Sequence, residues 1–155
     1  MPPEAAPAQE VPAPVGDFAG VPEPDESIDM SDIDELNRRA QEEGWVRDAF
    51  FEYDQFALSA NAREALSVSA GWLRKNPGVG LTVEGHCDER GTSQYNLALG
   101  ERRAWSARQY LESLGIDSSR LRTMSFGEER PFAEGLNEAA WAKNRRAHLV
   151  LYKID

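Results

Sequence analysis

The chain has 155 residues, with 17 Lys and Arg against 27 Asp and Glu and a formal net charge of −10, a length for which one domain is the default. No apolar run approaches the ~18–20 residues of a membrane-spanning helix, no secretory pattern follows Met1, and the single cysteine, Cys87, excludes an internal disulfide or a Cys-rich zinc module. That one thiol fits the cytoplasm and the periplasm alike.

The acidic charge is confined to one end. Residues 1–45 hold 12 acids against only Arg38 and Arg39, whereas residues 46–155 are balanced, and 7 of the 9 prolines fall at or before Pro24. A balanced domain behind an acidic tail argues against duplex nucleic acid as a partner, which would call for a basic excess. Residues 1–30 have too few large apolar groups to offset chain entropy, and a disordered, Pro-stiffened tail is expected there. It reads equally as a tether between the domain and an anchor or as a spacer left by a processed precursor. Met1 before Pro2-Pro3 looks like a start codon placed on a mature sequence.

Residues 31–45 predict a short helix or arm. Ser31 is its expected cap, Asp32, Asp34 and Glu35 suit its positive end, Ile33, Leu36 and Ala40 form a narrow apolar stripe, and Gly44 stops it. The main domain, residues 46–155, then alternates strand and helix. Val46–Tyr53 reads as a strand, Asn61–Lys75 as a helix stopped by Asn76-Pro77-Gly78, and Val79–His86 as a second strand. Ser93–Leu114 is the longest helix, capped by Thr92 and ended at Gly115. Leu121–Phe126 is a third strand, Asn137–Asn144 a short helix and Ala147–Tyr152 the last strand. The pattern predicts an α+β (or α/β sandwich) domain of about four strands, with two long helices on one face of a single sheet.

In the long helix, Gly100, Ala104, Ala107, Leu111 and Leu114 form one stripe whose small residues permit close approach to the sheet. Arg103 borders that stripe. Half-buried there, it is expected to need an anionic partner. Between the second strand and this helix lies Gly85-His86-Cys87-Asp88-Glu89-Arg90-Gly91-Thr92, a glycine-bracketed loop that ends on a helix N-terminus able to receive a carboxylate. Asp88 and Arg103 facing each other across a small cleft would match a ligand carrying both an ammonium and a carboxylate. The plainer alternative is that the two side chains bond each other or cap the loop.

Three catalytic or metal readings are weak. Glu84 and Asp88 as paired carboxylates would place glycan hydrolysis here, yet Asp88 sits beside Arg90 and nothing suggests a raised pKa. Cys87 and His86 as nucleophile and base point to opposite faces of a strand. His86, Cys87 and Asp88 lack a second ligand cluster, since His148 is an isolated strand residue. Trp72, Trp105 and Trp141 read as core or groove lining, packing being the commoner role of a Trp at helical spacing. Neither an enzyme nor a cofactor is expected.

The run Val83-Glu84-Gly85-His86-Cys87-Asp88-Glu89-Arg90-Gly91-Thr92, followed by Tyr95-Asn96-Leu97-x-Leu99-Gly100-Glu101-Arg102-Arg103-Ala104, resembles the OmpA-like peptidoglycan-binding domain. Within that family it is most similar to the peptidoglycan-associated lipoproteins (Pal). Phe50–Asp54, Ser125–Pro131 and Ala142–Ala147 agree in order, so the resemblance covers roughly residues 46–153. It implies a mixed four-stranded sheet and non-covalent capture of the peptidoglycan stem peptide at its diaminopimelate residue. By motif, Asp88 would take the ligand ammonium and Arg103 its carboxylate. Asn96, Thr92 and the backbone near Leu97 and Leu99 would line the site. Glu52 and one of Arg145 or Arg146, taken as Arg146, would lie close by.

The resemblance also implies a place in the Tol-Pal system on the periplasmic face of the outer membrane in a Gram-negative envelope. Its alternative is a module that docks the periplasmic propeller protein TolB through His86, Glu89 and Arg90. Two residues depart from the family pattern: Cys87 stands where Ala or Thr is commoner, hinting at a small buried side chain, and Glu52 where Asp is commoner. A lipoprotein would begin with a lipidated cysteine, and none stands here: either the sequence starts just past it or this homologue is not lipidated.

Overall fold

The computed structural model describes residues 32–154. The predicted tether and the Ser31 cap lie outside the described residues. Asp32 itself caps α1 (Ile33–Glu42), its carboxylate accepting the Glu35 N–H. Leu36 and Ala40 are buried in the same core as the sheet. Beyond Gly44, Trp45 stacks on Trp72 of α2 (Ala60–Lys75), with centroids 5.8 Å apart.

Four strands make one mixed sheet in the order β1-β4-β2-β3: β1 (Ala49–Phe50), β2 (Val79–His86), β3 (Leu121–Gly127) and β4 (Arg146–Lys153). β2 runs parallel to β3 and antiparallel to β4, and β1 is antiparallel to β4. The first strand is far shorter than the expected Val46–Tyr53. Its approach is diverted, because the Arg47 N–H donates to Ser69 Oγ on α2 and the Asp48 carboxylate, not a strand carbonyl, receives the Leu149 N–H. After Phe51 the chain turns toward α3 (Ser93–Ser113) and leaves the sheet.

β4 would otherwise show an open edge beyond this short strand. Side chains of α1 cover it: Asn37 exchanges two hydrogen bonds with the Leu151 backbone, and Gln41 donates to the Leu149 carbonyl. An edge satisfied by side chains cannot template another strand.

The registers Leu81↔Leu151 and Val83↔Leu149 put alternate β2 and β4 residues on the face that α2 and α3 cover. α3 crosses β2 at two glycines. A Cβ on Gly85 would coincide with the backbone carbonyl of Gly100, so this crossing excludes any side chain. The small-residue stripe of α3 therefore brings its first turns, and Arg103, directly under the end of β2.

Candidate functional site

β2 ends in the loop Cys87–Thr92, its pairing with β3 shifts register between Gly85 and His86, and strand alternation sends successive side chains to opposite faces. His86 points to the sheet face away from α3. It is 2% exposed, packs on Phe126 and Phe132, and its Nε2 lies 3.0 Å from Glu84 Oε1. It is therefore not the surface contact expected for a docking partner. Cys87 turns the other way, its thiol donating to the Asn96 carbonyl at 3.2 Å, and burial pushes the thiol up to about 11.

Asp88 Oδ1 accepts the Arg90 N–H at 3.0 Å and Nε at 3.2 Å, and Oδ2 accepts Arg90 Nη2 at 2.9 Å. Burial works to raise its pKa, but the Arg90 bonds and charge, with Arg145 beyond them, outweigh it and hold the carboxyl below the ordinary range. Gly91, at φ +100°, lets the loop turn into α3. Thr92 caps that helix, Oγ1 accepting the Tyr95 N–H. Asn96 locks the loop by donating to the carbonyls of Asp88 and Arg90 and to Glu128.

Arg103 departs from expectation. It is 1% exposed rather than half-buried, and its partners are three backbone carbonyls: Gln55 at 2.8 Å, His86 at 3.0 Å and Glu52 at 3.1 Å. Burial lowers its pKa, against the opposing pull of Cys87 and Asp88. It makes no direct bond to Asp88. Both residues instead line one small cleft of about 50 Å³, together with Asn96, Leu99, Tyr53, Asp54 and Tyr95.

Other expected residues stand elsewhere. Thr92 and Leu97 do not line this cleft; the Thr92 hydroxyl is taken by the helix, and the Leu97 carbonyl accepts from Ser125. Glu52 gives the cleft only its carbonyl, through Arg103, while its side chain lines a separate depression that it shares with Arg146. Arg146 pairs with Asp48 and lies over the Phe50 and Phe132 rings. The arginine beside the site is Arg145. Its Nη1 is 3.5 Å from Asp88 Oδ2 and has no hydrogen-bond partner, while Nη2 pairs with Glu138. Glu89 is exposed at the loop tip.

The reading from sequence missed Tyr53, Asp54 and Tyr95 as lining residues, and of the pair Arg145 and Arg146 it took the wrong member. Asp54 adopts φ +56° and accepts from the Tyr95 hydroxyl. A turn-favouring Asp directly after Tyr53 was the available signal that the first strand ends early.

The arrangement suits recognition of charge better than bond cleavage. Asp88 is held ionised, Glu84 lies with His86 on the far face, and the thiol is held protonated. No group of three or more His, Cys, Asp or Glu positioned to hold a metal occurs among the described residues.

Comparison with known proteins agrees with this frame. The peptidoglycan-associated lipoprotein of Brucella melitensis is 48% identical over 102 residues, covering 66% of this chain and 61% of that protein. The aligned stretch is thus less than two thirds of that relative's length. The protein of the same name from Pseudomonas aeruginosa is 44% identical over 123 residues, covering 79% of this chain and 70% of the relative. The crystal structure of the peptidoglycan-associated lipoprotein from Burkholderia pseudomallei superposes with a TM-score of 0.66 at 40% identity, covering 68% of this chain and 90% of that one. The C-terminal domain of Helicobacter pylori MotB shares the fold, with a TM-score of 0.65 at 21% identity, covering 70% of this chain and 85% of that one. The OmpA family model matches residues 50–145, from β1 through the loop to the residue before β4, and the chain belongs to the OmpA family.

Proposed function

We propose that this chain binds peptidoglycan non-covalently, holding the diaminopimelate residue of a stem peptide in the cleft between Asp88 and Arg103. One observation carries the reading: an ionised carboxylate and a buried guanidinium line the same cleft without neutralising each other. A zwitterionic head group offers each a partner of opposite charge, in exchange for Arg90 at Asp88 and in addition to the backbone carbonyls at Arg103. Its ammonium goes to Asp88 and its carboxylate to Arg103, whose three bonds to carbonyls leave two of its five N–H groups for a ligand. Asn96 and Leu99 hold the walls.

The names of the relatives support a location at the outer membrane, with residues 1–30 as the tether between a lipid anchor and the wall. In that setting the chain works as the Pal-like component of a Tol-Pal system. A TolB-like propeller then meets the same loop through exposed Glu89 and the outer edge of Arg90.

Pull-down with purified sacculi tests the reading. Asp88→Asn should lose retention while keeping the wild-type circular dichroism spectrum, and no soluble muropeptides should appear over hours of incubation. Undiminished retention by Asp88→Asn would refute the assignment.

A further inference from the structure

Asp88 already holds a cation. Its side chain is 5% exposed, and three hydrogen bonds come to it from Arg90 alone. The Arg90 guanidinium lies between the Tyr53 and Trp141 rings, 4.0 Å and 3.9 Å from their centroids, and its side chain is 31% exposed. Solvent therefore reaches the guanidinium but hardly the carboxylate beneath it. Arg90 lines the same cleft as Asp88 and occupies both oxygens of its carboxylate, so an ammonium that pairs with Asp88 there competes with this guanidinium.

Resting on the proposed reading of this cleft, we infer that Arg90 is its specificity-determining residue. It is an internal cation that the ligand ammonium must displace from Asp88 and from the slot between Tyr53 and Trp141. Displacement exchanges one charge-assisted pair for another, so an amine alone gains little. A ligand that also delivers a carboxylate to Arg103 adds a second contact and passes the threshold. The residue thus selects zwitterions over simple amines. The Arg90 backbone N–H stays on Asp88 when the side chain leaves, and Arg145 Nη1 remains 3.5 Å from Oδ2, so the carboxylate stays compensated during the exchange. Glu138, already paired with Arg145, lies close enough to act on the Arg90 charge and can receive the guanidinium as it swings out.

Calorimetric titration of the full chain with meso-diaminopimelate and with n-butylamine tests the inference. Arg90→Gln should bind diaminopimelate roughly tenfold tighter than wild type, the scale of one charge-assisted pair removed as a competitor, and should acquire measurable affinity for butylamine. In wild type, the Arg90 Nε–H resonance should lose its protection from exchange as diaminopimelate is added. Weaker or unchanged diaminopimelate binding by Arg90→Gln would overturn the inference if Asp88→Asn still abolishes binding. Binding retained by Asp88→Asn would instead overturn the reading of the cleft, and the inference with it.

Discussion

Asn37 on α1 and Leu151 on β4, 114 positions apart, exchange two hydrogen bonds. The Asn37 carbonyl oxygen accepts the Leu151 N–H at 2.7 Å, and its amide donates to the Leu151 carbonyl at 3.0 Å. The side chain thus repeats what an adjacent strand would offer. Asn37→Ala should cost about 2 kcal/mol, the scale for leaving two such backbone groups unpaired at a partly buried site. Thermal unfolding followed by circular dichroism should show a fall of several degrees in Tm. An unchanged Tm would mean that water replaces the amide fully.

Arg103 serves the fold as well as the cleft. Its three carbonyl partners come from the segment after β1 and from the last residue of β2, so one guanidinium pins two chain segments to α3. Arg103→Ala should therefore destabilise the domain by about 3 kcal/mol or more, measured by urea unfolding. Loss of ligand binding in that variant carries no weight until its fold is shown intact.

Asp48 is buried under β4 and holds His148, Arg146 and the Leu149 N–H. Burial works to raise its pKa, but the His148 bond and charge, the Leu149 N–H and the Arg146 bond outweigh it, leaving it lowered. Since the fold favours the ionised form, this contribution is complete above the ordinary value of 3.8 and lost as the pH falls through the lower native one. Asp48→Asn should flatten the decline of stability with acidification below about pH 4 and lower stability at neutral pH. Urea midpoints measured between neutral and acid pH check both effects. An unaltered acid slope would show that other carboxyls govern acid unfolding.

Cys87 should be chemically silent in the folded protein. Its thiol is pushed from 9.0 up to about 11 by burial, against the pull of Arg103. Reaction requires the thiolate, so a chromogenic disulfide reagent at mildly alkaline pH should titrate no thiol in the native chain and one in urea. Because the fold favours the protonated form, its contribution to stability is intact below pH 9 and disappears as the pH climbs through 11. Rapid native labelling would show that the loop opens far more often than its hydrogen bonds allow.

Much of the architecture was legible before any coordinates. Thr92, read as the cap of the long helix, accepts the Tyr95 N–H three positions on, as local chemistry demands. The small-residue stripe of α3 likewise foretold the close crossing at Gly85 and Gly100. These signals lie within a turn or two of chain, or in a single periodic face, and need no knowledge of the rest of the molecule.

What only tertiary structure decided was the destination of each charged side chain. Arg145 and Arg146 are adjacent and chemically identical, yet one lies beside Asp88 and the other pairs with Asp48. The chain enters β4 between them, and consecutive residues of an extended chain face opposite sides. The same alternation at the end of β2 sent His86 away from the loop that Cys87 and Asp88 build. The partners of Arg103 and Asn37 were equally invisible in the sequence, because they are backbone groups. Every residue carries such groups, so the letters cannot reveal which ones a fold leaves unpaired.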